Sequence, residues 1–402
     1  DWPSVSRWYS ELALGRAEVT PALEQALRLA LPPSGASPPD ALLAAGMMVR
    51  DRVRYVAVEL GLAGYQPRPA AETLAKLYGD CKDKGTLLQS ALAVEKFSSY
   101  PVLVHSGGAE TIPQDPPLWG FNHLIVAVTI PTAQSLPDRF APAQVTDADL
   151  GRLLLIDPTS DTTSIGWLPA GLAGQTALVA AGDRGKLITL PGRDSDHQIQ
   201  EHWIVKPTQD GNLHLMRETR LTGELAAEAR SDESRSSRDR RRSVEEEIAR
   251  WWPDAVVEEY SVRAETAEGE FLETVSFHHG FSRAPGDAPD SGVEVFPGAG
   301  DMFERVPLGR RKGAVEYGFP RLVLQEIVLE GFPEGEFLPA AQSLQGNGWA
   351  ITTSYTREQT TLRARWEARL SRRRFEVAEF PELRKFWSSL SSSASLRVRL
   401  SR

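Results

Sequence analysis

The stretch Tyr78-Gly79-Asp80-Cys81-Lys82-Asp83-Lys84-Gly85-Thr86-Leu87 holds the single cysteine of a 402-residue chain. Gly79 permits the strained backbone of a tight turn, Asp80 is a good N-cap, and the run after it suits a helix. Cys81 then falls in the first helical turn, where unpaired N–H groups and the macrodipole stabilise a thiolate. An arbitrary free cysteine is more often a small buried hydrophobe. A core cysteine, however, rarely sits among charges such as Asp80, Lys82, Asp83 and Lys84. Cys81 therefore reads as a nucleophile.

A nucleophilic thiol needs a base and a group to orient that base, and both can lie far along the chain. Phe121-Asn122-His123-Leu124-Ile125-Val126-Ala127-Val128 follows Gly120 and runs into an apolar stretch of strand length, which predicts His123 at the start of a strand. Leu153-Leu154-Leu155-Ile156-Asp157-Pro158-Thr159 is a second buried-strand pattern. Pro158 forces its closing carboxylate out of the sheet, so Asp157 is the expected partner of the imidazole. His105 is a rival base, but Ser106-Gly107-Gly108 place it beside an exposed loop.

The order Cys81, His123, Asp157 resembles the bacterial transglutaminase-like family, a branch of the papain-like Cys-His-Asp fold whose members carry flanking domains of unknown function. Further residues carry the likeness: Val53-Arg54-Tyr55-Val56-Ala57-Val58-Glu59-Leu60-Gly61, Gly64-Tyr65-Gln66-Pro67-Arg68-Pro69, Phe121-Asn122-His123 and Ile156-Asp157-Pro158-Thr159. It covers residues 1–180 strongly and the rest only as a trailing domain. The resemblance implies a thiolate at Cys81, a base and later acid at His123 and an orienting carboxylate at Asp157. Gly85 departs from the pattern, because the family often has alanine there, and Glu95-Lys96-Phe97-Ser98-Ser99-Tyr100 replaces a more usual glycine-bearing loop.

The expected chemistry is acyl transfer through a Cys81 thioester on peptide or protein amides, by a protease, amidase or transglutaminase-type route. The oxyanion needs donors. The N–H of Cys81 is the first, and the likeness to related enzymes proposes Tyr55 or Gln66 as the second. Trp119 is a candidate for lining the substrate cleft. A reading from a different class is a scaffold whose transglutaminase-like domain is occluded and binds a peptide or protein without catalysis.

Other motifs fail on inspection. Lys84 precedes Gly85, whereas a phosphate loop needs Gly-Lys-Ser/Thr, so no nucleotide is expected. His278 and His279 are adjacent and on a strand point to opposite faces. With one cysteine, a structural zinc is also not expected, and the reading calls for no metal and no cofactor. A net charge of −9 argues against nucleic acid. The arginine-dense run Arg230 to Arg242 is interrupted by Asp232, Glu233 and Asp239 and followed by Glu245-Glu246-Glu247, as in a solvated helix of mixed charge.

At 41% hydrophobic and 25% charged, the composition is that of a folded globular protein, and the length calls for two domains. No apolar run approaches the ~18 residues of a membrane helix. The chain opens without Met or a signal-like segment, so it is read as part of a longer or processed protein. The family likeness implies a further N-terminal domain and an exported parent.

The expected fold class is α+β. Residues 1–180 should form a transglutaminase-like (papain-like) catalytic domain, with helices over Trp2 to Leu14, Thr20 to Leu31 and Ala41 to Arg54, a loop from Pro32 to Pro39, and strands after the Cys81 helix. Residues 181–402 should form an antiparallel β-sandwich accessory domain, because period-two alternation recurs there. Leu213, Leu215, Arg217, Thr219 and Leu221 share one parity, as do Leu362, Ala364, Trp366, Ala368 and Leu370. Helices are expected at Ser243 to Trp252 and Phe380 to Leu390.

Overall fold

Proline and a capping oxygen start each of the first three helices. Asp1 accepts from Ser4 N at 2.9 Å ahead of α1 (Trp2–Leu12), Thr20 caps α2 (Pro21–Arg28) and Ser37 caps α3 (Pro38–Arg52). The stretch read as a loop through Pro39 therefore ends earlier. Pro38 and Pro39 occupy the first turn of α3, where the missing N–H costs nothing and the fixed φ suits the helix. The computed structural model describes residues 1–33, 35–57, 64–107, 120–193, 196–210, 212–232, 236–280, 293–309, 311–332 and 338–398. They form two units, Asp1–Arg193 and Asp194–Arg402, and the fold is α+β in both.

In the first unit a short parallel pair, β1 (Arg54–Tyr55) and β2 (Tyr78–Gly79), flanks α4 (Ala70–Lys76) and leads into α5 (Cys81–Val94). A six-stranded antiparallel sheet follows, built from β3 (Ser99–Val104), β4 (His123–Ile130), β5 (Gln144–Asp147), β6 (Gly151–Ile156), β7 (Thr176–Val179) and β8 (Lys186–Thr189), in the order β5-β6-β4-β3-β7-β8. The unit runs past the expected boundary at 180 because the β7–β8 hairpin pairs onto β3.

Helix α5 is buried on nearly every side and packs on β4 and β3. An added Cβ at Gly85 would meet Leu124 Cδ2 at 2.5 Å, which explains glycine at this position: α5 lies that close to β4. The fully buried Lys84 sends its Nζ to the carbonyl of Val53 at 2.7 Å and, more loosely, to that of Arg50 at 3.4 Å. These lie at the C-terminal end of α3, where helical carbonyls lack partners. The lysine thus ties α3 to the cysteine-bearing helix.

In the second unit β9 (Gln198–Pro207), β10 (Leu213–Leu221), α6 (Gly223–Ser231), α7 (Ser237–Trp251), β11 (Ala255–Arg263) and β12 (Phe271–His279) precede two short strands, β13 (Val293–Glu294) and β14 (Val315–Glu316). Then come β15 (Arg321–Glu330), β16 (Gln342–Gly346), β17 (Trp349–Glu358), β18 (Thr361–Leu370), β19 (Arg374–Phe375), α8 (Phe380–Ala394) and β20 (Arg397–Val398). The expected antiparallel sandwich is corrected here. Eight strands hydrogen-bond into one sheet, β11-β12-β10-β9-β15-β18-β17-β16, in which β9 and β15 run parallel.

The predicted alternation is present, and Leu213, Leu215, Arg217 and Thr219 are buried, as are Leu362, Ala364, Trp366, Ala368 and Leu370. What covers that face is helical. Helix α8 packs on β16, β17 and β18, and Trp366 Nε1 donates to Ser393 Oγ at 2.9 Å. Helix α7 packs on β11, and Trp252, just past its end, meets Trp203 and Phe277 at ring-centroid distances of 5.6 and 5.4 Å. The arginine-dense run enters α7, where Arg241 and Arg242 pair with Glu245 and Glu246 one turn on, at 2.9 and 3.0 Å. The helix begins before the expected Ser243 because Ser236 caps it.

Candidate active site

Cys81 is the first residue of α5 and is 8% exposed. Its N-cap Asp80 accepts from Asp83 N at 3.2 Å while Asp83 Oδ2 accepts from Asp80 N at 3.4 Å, a reciprocal capping box. Asp83 Oδ1 also accepts from Arg68 N at 2.8 Å. Lys82 is ion-paired with Asp80. The four charges around the cysteine are thus buried and partnered. Burial raises the Asp83 pKa, against the hydrogen bond from Arg68 N.

The left-handed turn before Cys81 falls at Leu77, with φ 54°, and not at Gly79. Gly79 is needed for space, since its Cβ would lie 2.6 Å from Asp83 Cβ. Gly79→Ala is expected to push Asp83 out of the capping box and to destabilise the first unit by about 1–3 kcal/mol. Chemical denaturation followed by circular dichroism checks this, and an unchanged midpoint would show that Asp83 gives way at no cost.

His123 opens β4 and Asp157 follows β6, its neighbour in the sheet, where Val126 pairs with Ile156. That pairing brings the two residues together: His123 Nε2 lies 2.9 Å from Asp157 Oδ2. Asp157 Oδ1 accepts from Thr159 N at 2.9 Å and Thr159 Oγ1 at 2.6 Å, so the carboxylate is held on both oxygens. Burial raises the Asp157 pKa, but His123 and Thr159 together hold it below its ordinary value. Burial alone would lower His123. The Asp157 charge and hydrogen bond, and an interaction with Cys81, outweigh it and push the imidazole up to about 10. With Nε2 committed to Asp157, Nδ1 is the nitrogen left for the cysteine.

Cys81 and His123 line one cavity of about 460 Å³ with Tyr9, Tyr65, Leu103 and Phe121 among its walls. Asn122 Nδ2 donates to Ser106 O at 2.9 Å and its Oδ1 accepts from Ser106 N at 2.7 Å, pinning the segment that carries Phe121 and His123. The rival His105 is spent on the Gly120 carbonyl at 2.7 Å and does not line the cavity. Neither expected oxyanion donor lines it. Tyr55 is 41% exposed on β1, and Gln66 Nε2 donates to Leu12 O at 3.0 Å. Trp119 lies outside the described residues.

Tyr9 enters from α1 and carries no sequence signal beyond its place on an amphipathic helix. Thr159 was legible in principle, because an Asx turn in Asp157-Pro158-Thr159 directs its N–H back to the carboxylate. Among the described residues no group of three or more His, Cys, Asp or Glu side chains could hold a metal ion, and no helix is long and apolar enough to cross a membrane. His278 instead meets Glu258, with Nδ1 at 3.2 Å from the carboxylate.

Comparison with protein-family models finds no match, and comparison with curated proteins finds none either. Among solved structures the chain is similar to the crystal structure of a "putative protease" from Parabacteroides distasonis, with a TM-score of 0.51 and 12% sequence identity. The likeness covers 97% of this chain and 57% of that one. At that identity it is a likeness of fold.

Proposed function

We propose that the chain is a cysteine-dependent acyl-transfer enzyme of the transglutaminase-like, papain-like kind, acting on peptide or protein amides. The observation that carries this reading is that His123, bonded to Asp157 at 2.9 Å, lines one cavity with Cys81, which stands at a helix N-terminus. The solved neighbour, described as a "putative protease", agrees with this reading in class.

The steps follow from the groups present. Asp157 keeps the imidazole protonated at neutral pH, so the proton removed from the thiol rests on His123. The Cys81 sulfur attacks the amide carbon, an S–C bond forms, and the carbonyl electron pair moves onto oxygen. The N–H of Cys81, in a turn whose donors lack helical partners, faces that charge. Collapse restores the C=O and breaks the C–N bond, and His123 delivers its proton to the departing amine. A thioester is left on Cys81. Water or an amine then attacks it, with His123 as base.

Iodoacetamide tests the reading. Cys81 in the native protein should be alkylated at neutral pH about 10-fold or more faster than in the denatured chain, the excess expected of an activated thiolate. His123→Ala should abolish that excess. Native labelling at the denatured rate would favour the occluded scaffold, and excess surviving in the His123 variant would assign activation to another group.

A further inference from the structure

The cavity leaves one polar group without a task. Tyr9 is 3% exposed, lines the same cavity as Cys81 and His123, and its hydroxyl makes no hydrogen bond with any described residue. The hydroxyl is not among the fully enclosed atoms that lack a partner, so it is open to the cavity it shares with Cys81, where a ligand atom can reach it.

Its position is fixed from both sides along α1. Ser6 Oγ donates to Gly182 O at 2.8 Å, and Gly182 N donates to Ser10 Oγ at 3.1 Å. Gly185 has no room for a side chain, since a Cβ there would lie 1.8 Å from Ser6 Oγ. The helix is therefore seated closely on the segment after β7, and the residue between Ser6 and Ser10 is held before any substrate arrives. Such preorganisation is what makes a donor effective toward a developing charge.

We propose that Tyr9 is the side-chain half of the oxyanion hole, a catalytic donor to the carbonyl oxygen as Cys81 attacks. The inference rests on the cysteine acyl-transfer reading and adds a residue to it. Thiolate attack forms the S–C bond and places the carbonyl pair on oxygen, which receives hydrogen bonds from Cys81 N–H and the Tyr9 hydroxyl. The phenol keeps its proton throughout, because burial, then the charges of Cys81, Asp80 and Asp83, hold its pKa above the ordinary tyrosine value. It cannot serve as the base, which leaves that task to His123.

Two reagents separate this role from thiolate activation. p-Nitrophenyl acetate acylates the sulfur through a tetrahedral oxyanion and releases p-nitrophenolate, whereas iodoacetamide alkylates it by displacement with no oxyanion. Tyr9→Phe in the full chain should slow the p-nitrophenolate burst by ~10²-fold and leave the iodoacetamide rate at that of the unaltered protein. Equal rates in both assays overturn the proposal, and so does an equal loss in both, which would make Tyr9 a support of the thiolate or of the fold. If the unaltered protein shows no burst, the acyl-transfer reading itself fails, a result distinct from either. Should Tyr9→Phe alkylate only as the denatured chain does, 3-fluorotyrosine at position 9 keeps the ring and the hydroxyl while strengthening the donor. A burst rate that changes against constant alkylation then supports the assignment, and no change in either rate overturns it.

Discussion

Asp157→Asn is expected to slow acylation of Cys81 by about 10²–10⁴-fold, the range over which an acid–base residue and its orienting carboxylate act. Asn keeps the shape of Asp but removes the charge that opposes burial at His123. In the native site burial pulls the imidazole down while Asp157 and Cys81 push it up, to about 10. Below that value His123 is a cation, and on the proposed route the pH profile of iodoacetamide labelling should follow its loss of charge. In the variant only the interaction with Cys81 opposes burial, so the imidazole should lose its proton at a lower pH than in the native site and the labelling profile should shift with it. The proton-donating form of His123, which the proposed route needs for the departing amine, is then lost at a lower pH than in the native site. Acylation of the Asn variant at the native rate would remove Asp157 from the mechanism.

The parts of this site that were legible in the sequence are those set by short-range chemistry. Asp80 followed by a helical run announces a cap, and an apolar stretch opening at His123 or closing at Asp157-Pro158 announces a strand end. That β4 and β6 are sheet neighbours is what joins His123 to Asp157, and pairing order is not local. The same limit hid Tyr9, which reaches the cavity from a helix at the start of the chain. Tyr55 and Gln66, the donors that the family likeness implies, do not line that cavity, and Gln66 donates to Leu12 O.

In the second unit alternation told which side chains are buried and was silent on what buries them, so one mixed sheet under helices was read as two stacked sheets. Asp80, Lys82, Asp83 and Lys84 are charged yet buried because each has a partner: Lys82 and Asp83 with Asp80 in the same cap, Asp83 also with Arg68 N, and Lys84 with the carbonyl of Val53.

The largest stability effect is expected in the second unit at Arg217, on the buried face of β10. Its guanidinium meets Glu247 of α7 at 2.8 Å, Glu273 of β12 at 2.9 Å and Glu201 of β9 at 3.9 Å, over the ring of Trp203. Glu201 is itself buried and accepts from Trp203 Nε1 at 2.9 Å and Gln325 Nε2 at 2.7 Å. Arg217→Met leaves that carboxylate in the core with no cation, and breaking a buried pair from one side costs about 3–5 kcal/mol. Adding Glu201→Gln should recover part of the loss, because the most buried acid is then neutral, while Glu247 and Glu273 remain charged but keep some contact with solvent. The pH dependence gives an independent sign. Burial raises the Glu201 pKa even with Arg217 opposing it, and more so without it. An acid raised in the folded state favours folding below its unfolded value, and that contribution is lost as pH rises through the folded value. The deficit of Arg217→Met should therefore be small near pH ~4.5 and grow toward neutrality. Urea midpoints followed by tryptophan fluorescence at several pH values measure it, and a deficit that stays constant with pH would mean that Arg217 acts by packing on Trp203 and not by neutralising Glu201.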